Sequence, residues 1–395
     1  MKRIIAVFLF CILLLCSCKA DTKEKIQVSK TTAGVFVSFS EIDRMLTSEN
    51  GFEKEFESMI NNLKAYNIKK LYFHVRSHCD SLFNSKYFPK KKSAEAYAFD
   101  LMEYVINECH KNNIELHAWI NPYRVSSNTD VSLLDDNSPA KIWLNDQNSQ
   151  NDINVCIYNG IYLNPAQVEV RRLIIDGVKE ISASYEVDGI CFDDYFYPTT
   201  DAQFDAESYG KYKSLGENPL SLDDWRRSNV NILISGCYYS IKSINKNIQF
   251  SISPAASLEK NYTDLYADIE YWIVNGCIDT VIPQIYFGFD YPIDEYKFEN
   301  LIERWKKASS LNKNVRTEIA LATYKIGTDL SPDSKEWGNI EDIIARQTEI
   351  CYKDKDIDGY VFFSYSSLIS ENSLNLKQSE NLKSIINTYK SMEEN

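Results

Sequence analysis

Short apolar runs recur along the chain at regular intervals, and each is bounded by polar or turn-forming residues. The runs are six or seven residues long and rich in β-branched and aromatic side chains, which is typical of buried strands. Eight such strands are predicted, at residues 33–39, 69–75, 114–120, 187–192, 248–253, 279–285, 315–321 and 358–364.

Segments with a helical period separate these strands. Residues 52–66 illustrate it, since Phe52, Phe56, Met59 and Leu63 recur at the spacing of one helix face. Eight strand–helix units predict a parallel sheet, and their number fits a (β/α)₈ TIM barrel. An open doubly wound sheet is the alternative, although no phosphate-binding glycine motif follows an early strand. Seven further helices are predicted, at 94–111, 168–184, 223–243, 264–275, 295–309, 339–352 and 374–391.

Two connections are long for such a barrel. Residues 125–167 follow the third strand and are rich in Asn, Asp and Ser with little periodicity. Residues 195–222 follow the fourth strand and are rich in Tyr, Asp and Gly. Both leave the carboxyl ends of their strands, which is the face where barrels of this kind build substrate sites.

The N-terminus has the pattern of a bacterial lipoprotein signal. Lys2 and Arg3 precede an apolar run, at residues 4–15, that is too short to span a bilayer. The run ends in Leu15-Cys16-Ser17-Cys18, and Cys18 fits the lipidated cysteine best because small Ser17 precedes it. We therefore expect a signal peptide at 1–17, a polar tether at 18–30 and the barrel at 31–395. An ordinary secretory signal is the alternative reading.

This pattern predicts a location in the cell envelope, with the chain held on a bacterial membrane by acyl chains. The outer membrane is the expected one, and the side that the protein faces stays open. The net charge of −13 disfavours nucleic acid and electrostatic docking on anionic lipid as partners. The oligomeric state does not follow from the sequence.

The chain has ten cysteines, of which seven follow the signal region. They are widely spaced, odd in number and without a CxxC pair, so we expect small buried side chains and neither a disulfide framework nor a zinc site. The sequence predicts no cofactor and no metal.

The segment VDGICFDDYFYP, at 187–198, carries the most distinctive chemistry. An apolar strand ends in two adjacent carboxylates, Asp193 and Asp194, and aromatic residues follow. Because side chains alternate along a strand, the two carboxylates start on opposite faces. Carboxylates ringed by aromatic side chains fit catalysis on a sugar, and the alternative is a turn in which an Asp caps the next helix.

Polar or aromatic residues follow every predicted strand at the same end, which a substrate site explains better than a set of separate turns. Arg and amide side chains bind hydroxyl groups, and aromatic rings stack on sugar faces. Trp225 opens a helix and fits a packing anchor as readily as a sugar platform. The expected substrate-binding residues are Arg76, Asn121, Tyr123, Arg124, Tyr195, Trp225, Gln284 and Tyr286.

An ordered set of motifs resembles the glycosyl hydrolase-like 10 family of bacterial, often lipid-anchored barrel proteins. The motifs are GVFVSFSEIDRM, HVRSHCDSLFNSKYFP, HAWINPYRV, DGICFDDYFYP, DWRRSNVN, SISPAA and PQIYFGF. The resemblance implies hydrolysis of a glycan, such as a cell-wall glycan strand or another polysaccharide. The chain departs from the family pattern at Ser77 and Cys79, where Pro and Gly are usual, and at Cys191, where His is common.

Glycoside hydrolysis ordinarily uses two carboxyl groups. Asp193 is the first choice for the nucleophile or base, with Arg76 as the charge that keeps it ionised, and Asp194 is the second choice. Glu41 is the preferred partner acid, although a surface turn explains it about equally well. Asp290 and Asp80 are the other candidates.

Two further functions stay open at this point. The chain fits a noncatalytic glycan-binding lipoprotein that kept the barrel and lost a catalytic group, although binding alone does not require clustered acids. It also fits, less well, an esterase or deacetylase in which Asp193 and Asp194 hold a metal. His117 lies mid-strand among apolar residues and is expected to be an interior histidine.

The signal pattern yields a direct test. Cys18→Ser removes the thiol that is acylated, so we expect it to abolish metabolic lipid labelling and to release the protein from membranes. Membrane retention of a parent protein that carries no label would reject this reading of Leu15 to Cys18.

Overall fold

The structure, a computed structural model, describes residues 31–328 and 332–393. Eight parallel strands form a closed barrel in sequential order, and the first strand pairs with both the second and the last. The predicted (β/α)₈ barrel is therefore confirmed. The barrel strands are β1 (Thr32–Val37), β2 (Lys70–Arg76), β3 (Glu115–Ile120), β4 (Gly189–Phe192), β5 (Gln249–Ile252), β6 (Thr280–Val281), β7 (Arg316–Leu321) and β8 (Gly359–Phe363).

Helices surround the barrel and bury their apolar faces against the outward side chains of the strands. The long predicted helices are present with shifted ends, and several short helices follow strand ends. Their bounds are Phe39–Met45, Glu49–Ala65, Leu101–Lys111, Pro139–Asn145, Ser149–Asp152, Val168–Ser184, Ala206–Lys213, Leu222–Ile244, Leu258–Thr263, Ile269–Val274, Phe298–Ser309, Ser334–Asn339, Ile343–Lys353, Tyr365–Leu368 and Ser373–Glu393.

Two strands end at least two residues earlier than predicted, each for a local reason. β1 stops at Val37 because Ser38 caps a helix that begins at Phe39. β6 has two residues because Pro283, which has no N–H group, interrupts the ladder. Pairing resumes only as isolated bridges from Gln284 to the neighbouring strand ends.

The long connection after β3 is more ordered than its sequence predicted. It holds a three-stranded antiparallel sheet in which Ile161–Leu163 pairs with both Arg124–Ser126 and Val155–Ile157. Strands of three residues are too short to produce a recognisable period, which explains why no strand was predicted in this connection. Tyr162 of this sheet contacts Phe204, which belongs to the long connection after the fourth strand.

The barrel interior has an apolar middle layer. Gly189 on β4 makes room for His117 on β3, because a Cβ atom there would lie 2.1 Å from the imidazole Nδ1. The two strands therefore pack closely here, and His117 is interior, as the sequence predicted. The layer consists of Phe36, Tyr72, Trp119, Cys191, Ile282, Ala320 and Val361.

A buried ion pair closes the interior at the amino ends of the strands. Lys70 Nζ lies 2.5 Å from Glu318 Oε1, and Tyr72 donates a hydrogen bond to Glu318 Oε2 at 3.0 Å. Burial acts to raise the pKa of Glu318, but the charges of Lys70 and Arg316 outweigh it, and the net shift is downward. Glu318 is thus held as the anion beneath the apolar layer.

The seven cysteines in the described part of the chain are all free and buried, as expected. Within that part, no helix is both long and apolar enough to cross a membrane. The predicted signal peptide, the tether and Cys18 lie outside the described residues.

Removal of one member of the buried pair should be costly. Glu318→Gln leaves the Lys70 charge buried without its counterion, so we expect the free energy of unfolding to fall by about 3–5 kcal/mol. Urea unfolding measures this change. The double variant Lys70→Met with Glu318→Leu should recover most of the loss, because it removes both charges.

The exposed pair between Lys111 and Glu108 is the matched control. Glu108→Gln should change the same free energy by less than about 1 kcal/mol. Equal losses for Glu108→Gln and Glu318→Gln would show that the buried pair has no special part in closing the barrel.

Candidate active site

A cavity of about 270 Å³ lies at the mouth of the barrel, above the apolar layer. We call it the inner cavity. It lies at the carboxyl ends of the strands, where barrel loops build substrate sites. Its walls are Phe36, Trp119, Asp193, Asp194, Tyr195, Ser253, Gln284, Tyr286, Tyr324 and Phe363.

Asp193 follows β4 and is only 4% exposed. Trp119 Nε1 donates to its Oδ2 at 3.0 Å, and Asn121 Nδ2 donates to the same oxygen at 3.3 Å. The backbone N–H of Tyr195 donates to Oδ1 at 3.3 Å. Three donors from two strand ends therefore fix the orientation of this carboxylate, as a preorganised site requires.

The environment of Asp193 disfavours its charged form. Burial raises its pKa to about 7, and the negative charge of Asp194 adds to the rise. The guanidinium of Arg124 and the hydrogen bonds from Trp119 and Tyr195 act in the other direction but do not cancel it. A carboxyl group that titrates near neutral pH is typical of acid–base catalysis.

Asp194 is half-buried and lies between two cavities. Burial raises its pKa as well, and a hydrogen bond from Gln284 acts to lower it. Gln284 is itself held by a hydrogen bond from its Nε2 to the Ser253 carbonyl at 3.0 Å. The Gln284 side chain, which is anchored at Ser253, therefore holds the Asp194 carboxylate in place.

The second cavity, which we call the outer cavity, has a volume of about 520 Å³ and adjoins the inner one. The two share Asp194, Gln284, Tyr286 and Tyr324 as a common wall. Its other walls are Ala255, Ala256, Ser257, Lys260, Phe287, Tyr291, Tyr296 and Lys325. An extended ligand can therefore occupy both cavities and lie against Asp194.

Aromatic rings form most of the inner cavity opposite the carboxylates. Tyr286 stacks on Phe363 with ring centroids 5.6 Å apart, and Tyr324 meets Tyr286 edge-on at 5.7 Å. Below them, His74 stacks on Trp119 at 3.7 Å, and burial holds the pKa of His74 well below its usual value. The neutral His74 ring supports the indole that binds Asp193.

Arg124 lies at the rim beside the carboxylates. Its guanidinium lies 4.9 Å from the centre of the Tyr195 ring, and its Nε donates to the Ser77 carbonyl at 3.2 Å. Asn121 holds this turn, because its Oδ1 accepts the backbone N–H of Arg124 at 2.9 Å. Arg124 is the cation that lowers the pKa of Asp193.

Arg76 does not lie in the cavity, contrary to the sequence-based expectation. A register shift between His74 and Arg76 interrupts the alternation of β2. The Arg76 side chain is therefore directed into the layer between barrel and helices, where it lies 4.2 Å from the Phe88 ring centre and close to Gly177. It is 2% exposed, so it cannot reach a bound substrate.

Tyr123 and Trp225 are also buried away from the cavity. Tyr123 is 1% exposed and belongs to the outer core between strands and helices. Trp225 packs against Tyr209 and Tyr212 in the loop after β4, which is the packing role that the sequence left open. Neither contacts the inner or the outer cavity.

Glu41 is a structural residue in this fold. Both Ser38 N–H and Ser38 Oγ donate to its Oε2, which forms a capping box at the start of the helix Phe39–Met45. Its Oε1 accepts from Ser364 Oγ and from the backbone N–H of Ser366. The carboxylate joins the ends of β1 and β8 and lies outside both cavities, which corrects the expectation that it faces Asp193.

The structure therefore brings together Asp193, Asp194 and five of the other expected residues, and it separates four, which are Arg76, Tyr123, Trp225 and Glu41. Trp119, Phe36 and Phe363 were missed as site residues, and so was Tyr324. Strand alternation could have identified Trp119, because it lies two positions before Asn121 and the two side chains point to the same face. The expected residues that lie together at the barrel mouth are Asp193, Asp194, Asn121, Arg124, Tyr195, Gln284 and Tyr286.

Comparisons with known proteins agree with this architecture. The family described as glycosyl hydrolase-like 10 matches residues 38–339. The glycosyl hydrolase DigH of Escherichia coli (strain K12) is 27% identical over 91% of each chain. The glycosyl hydrolase YngK of Bacillus subtilis (strain 168) is 28% identical over 83% of this chain, and the match spans 66% of YngK.

Solved structures share the fold at low sequence identity. The PgaB (BpsB) glycoside hydrolase domain from Bordetella bronchiseptica superposes with a TM-score of 0.61 at 12% identity, over 90% of this chain and 98% of that one. Alpha-L-fucosidase isoenzyme 2 from Paenibacillus thiaminolyticus gives 0.58 at 11% identity, over 92% and 50% respectively. These two similarities support the barrel alone.

The raised pKa of Asp193 predicts a pH dependence of stability. The folded protein keeps a proton on Asp193 up to about pH 7, whereas the ordinary value is 3.8, so this group destabilises the fold progressively as the pH rises between those values. Asp193→Asn cannot ionise. We expect its melting temperature, relative to the parent protein, to be several degrees higher at about pH 8 than at about pH 4.

Asp290→Asn is the matched control, because Asp290 is exposed at the same end of the barrel and outside both cavities. Its effect on the melting temperature should be the same at both pH values. An equally flat response of Asp193→Asn would mean that Asp193 has an ordinary pKa.

Proposed function

Because the chain belongs to the glycosyl hydrolase-like 10 family, we propose that it hydrolyses a glycosidic bond of a glycan bound across the inner and outer cavities. The observation that carries the proposal is the pair of carboxylates, Asp193 and Asp194, in a cavity walled by aromatic rings. Paired carboxylates are the usual catalytic groups of glycoside hydrolases.

The two cavities provide places for the two sugars on either side of the bond. A sugar in the inner cavity faces Tyr286 and Trp119, whose rings suit the apolar faces of a pyranose. The next sugar lies in the outer cavity against Tyr291 and Phe287. The bond between them then passes Asp194, which both cavities share.

The location of Asp194 between the two cavities assigns a different catalytic role to each carboxylate. The two adjacent carboxyl groups share one proton near neutral pH, and in the reacting complex we assign it to Asp194, because of the two only Asp194 borders both cavities and can donate to the leaving oxygen. Asp193, fixed by Trp119 and Asn121, bears the negative charge that stabilises the oxocarbenium-like transition state. Arg124 favours the ionised form of Asp193, the part that the sequence had given to Arg76.

The relatives and the shape of the site support the proposed substrate class. The relatives DigH and YngK are named glycosyl hydrolases, and the joined cavities fit an extended chain of sugars. A cell-wall glycan strand or another polysaccharide is therefore the proposed substrate. Because the chain spans 66% of YngK, the activity of that whole protein comes to this one only as a proposal.

A location in the cell envelope is part of the same proposal. An acylated Cys18 followed by a polar tether would hold the barrel near the membrane surface, within reach of envelope glycans. The rim of the barrel, rather than a membrane-binding face, would then meet the substrate.

The two other functions are less well supported. A purely binding protein does not need two carboxylates with raised pKa values in one cavity, because each charged group must be desolvated there. For the metal-assisted reading, the described residues contain no cluster of three or more His, Cys, Asp or Glu side chains able to hold an ion. Glycan hydrolysis with paired carboxylates remains the proposal.

Single amide substitutions test it directly. Asp193→Asn and Asp194→Asn keep the shape of each side chain and remove its charge and its acid. We expect each to lower turnover of a susceptible glycan by about 10²-fold or more, measured as new reducing ends from peptide-free cell-wall glycan and a polysaccharide panel. Asp290→Asn, outside the cavities, should leave turnover unchanged.

A chelator should also leave turnover of the parent protein unchanged. Loss of activity on chelation, restored by a divalent ion, would favour the metal-assisted reading instead. Full activity of both Asp193→Asn and Asp194→Asn would reject the carboxylate mechanism, and glycan binding without any cleavage by the parent protein would favour the noncatalytic reading.

A further inference from the structure

The two carboxylates of the site are adjacent in sequence and follow one strand. In hydrolases with paired carboxylates, the acid and the nucleophile or base flank the bond, because one attacks the sugar face opposite the leaving group. Asp193 and Asp194 are fixed at the end of β4, and Gln284 and Asn121 hold them there. They approach a bound sugar from one side of the cavity.

No other acidic residue lines either cavity in the described ranges, 31–328 and 332–393. Glu41 is bound to Ser38, Ser364 and Ser366 outside the cavity, and Glu318 pairs with Lys70 at the far end of the barrel. The side facing the carboxylates is formed by rings such as Phe36, Tyr286 and Phe363. Phe36 and Phe363 have no nucleophilic atom, and burial holds the pKa of Tyr286 well above its usual value, so its hydroxyl is a poor nucleophile and a poor base.

The floor of the inner cavity has the character that an acetamido group requires. Phe36 and Trp119 lie edge to face at 5.2 Å, and Phe363 meets Phe36 at 6.1 Å, which makes an apolar recess for a methyl group. Asp193 borders that recess. Its Oδ2 takes hydrogen bonds from Trp119 and Asn121, while its Oδ1 has only the 3.3 Å bond from the Tyr195 backbone and can accept one more donor, such as an amide N–H.

We infer that the nucleophile is the substrate's own 2-acetamido group, so that the protein cleaves glycans of β-linked 2-acetamido-2-deoxyhexoses with retention of configuration. The inference rests on the proposed hydrolase function and adds the substrate class and the route. Substrate-assisted hydrolysis is an established exception to the use of two opposed carboxylates. It needs an acid at the leaving oxygen and an acceptor at the amide, and Asp194 and Asp193 occupy those two positions.

In the first step, the acetamido carbonyl oxygen bonds to C1 while the bond from C1 to the leaving oxygen breaks. Protonated Asp194 gives its proton to that oxygen, and ionised Asp193 accepts the amide proton, so that a neutral oxazoline forms. In the second step, water adds to C1 as the oxazoline C–O bond breaks. Asp194 takes a proton from the water, and Asp193 returns its proton to nitrogen. Both carboxyl groups recover their starting states, and two inversions at C1 give net retention.

The location of Asp194 between the cavities agrees with this route. The leaving sugar must occupy the outer cavity for Asp194 to reach the leaving oxygen, and the sugar with the reacting acetamido group must fill the inner one. The acetamido group then lies under the ring, towards Phe36 and Trp119, and its N–H meets Asp193. A 2-hydroxyl group would leave the apolar recess empty and provide no internal nucleophile.

The test uses one β-linked glucosamine oligosaccharide in three forms, with N-acetyl, N-trifluoroacetyl and free amino groups. We expect cleavage of the N-acetyl form, a rate at least about tenfold lower for the N-trifluoroacetyl form because its carbonyl oxygen is a weaker nucleophile, and no cleavage of the free amine. Proton NMR should show the β-anomer as the first product. Cleavage regardless of the nitrogen substituent, or an inverted product, would overturn the inference and leave the proposed hydrolase function in place.

A binding measurement separates the two carboxylates without relying on turnover. The thiazoline analogue of a 2-acetamido sugar mimics the oxazoline, so calorimetry should detect binding to the parent protein and to Asp194→Asn. Asp193→Asn should bind it at least about tenfold more weakly, because the ring nitrogen loses its charged partner. Equal affinity of Asp193→Asn and the parent protein would contradict the role given to Asp193.

Failure of the inference and failure of the proposed function give different results. If the parent protein neither cleaves the N-acetyl oligosaccharide nor binds the thiazoline but cleaves a sugar without nitrogen, only the inference fails. If it cleaves no glycan of the panel, both fail.

Discussion

The burial of the Asp193 carboxylate at the barrel mouth is the interaction on which the rest of the site depends. A carboxylate that is 4% exposed must be satisfied by donors or kept protonated, and both conditions hold in part here. Trp119, Asn121 and the Tyr195 backbone supply the donors, and burial beside Asp194 raises the pKa to about 7. The same arrangement orients the group and brings its titration near neutral pH.

The barrel makes this burial possible because its strands hold residues from distant parts of the chain at fixed positions. Trp119 and Asn121 come from β3 and Asp193 from the end of β4, so parallel pairing sets their distance. Gly189 lets the strands approach where His117 crosses the interior. At the amino ends of the strands, the buried ion pair between Lys70 and Glu318 occupies the barrel interior, and each charge neutralises the other. The mouth is therefore rigid enough to keep an unfavourable charge in one orientation.

Much of this was predictable from the sequence. The eight strands follow from runs of apolar residues, and the Asp pair is visible as two acids at the end of the run that became β4. The errors have local causes. Strand alternation along β2 predicts that the Arg76 side chain points into the barrel, but the register shift after His74 directs that side chain outward. Glu41 was a helix cap, and the Ser38-x-x-Glu41 spacing of a capping box was the signal that identifies it. Tyr123 lies beyond the end of β3, where strand alternation no longer applies, and Trp225 lies in the first turn of the helix Leu222–Ile244. The packing that buries each of them is not visible in the sequence.

The ionisation of Asp193 is the most direct measure of this account. Carbon NMR of protein labelled at its Asp carboxyl carbons follows each group as the pH changes, and Asp193→Asn assigns the signal by its loss. The account predicts that this carboxyl titrates near pH 7, as burial beside Asp194 requires. Titration of Asp193 at the ordinary value near 3.8 would contradict it, because such a group would be an ordinary surface carboxylate rather than the buried centre of the site.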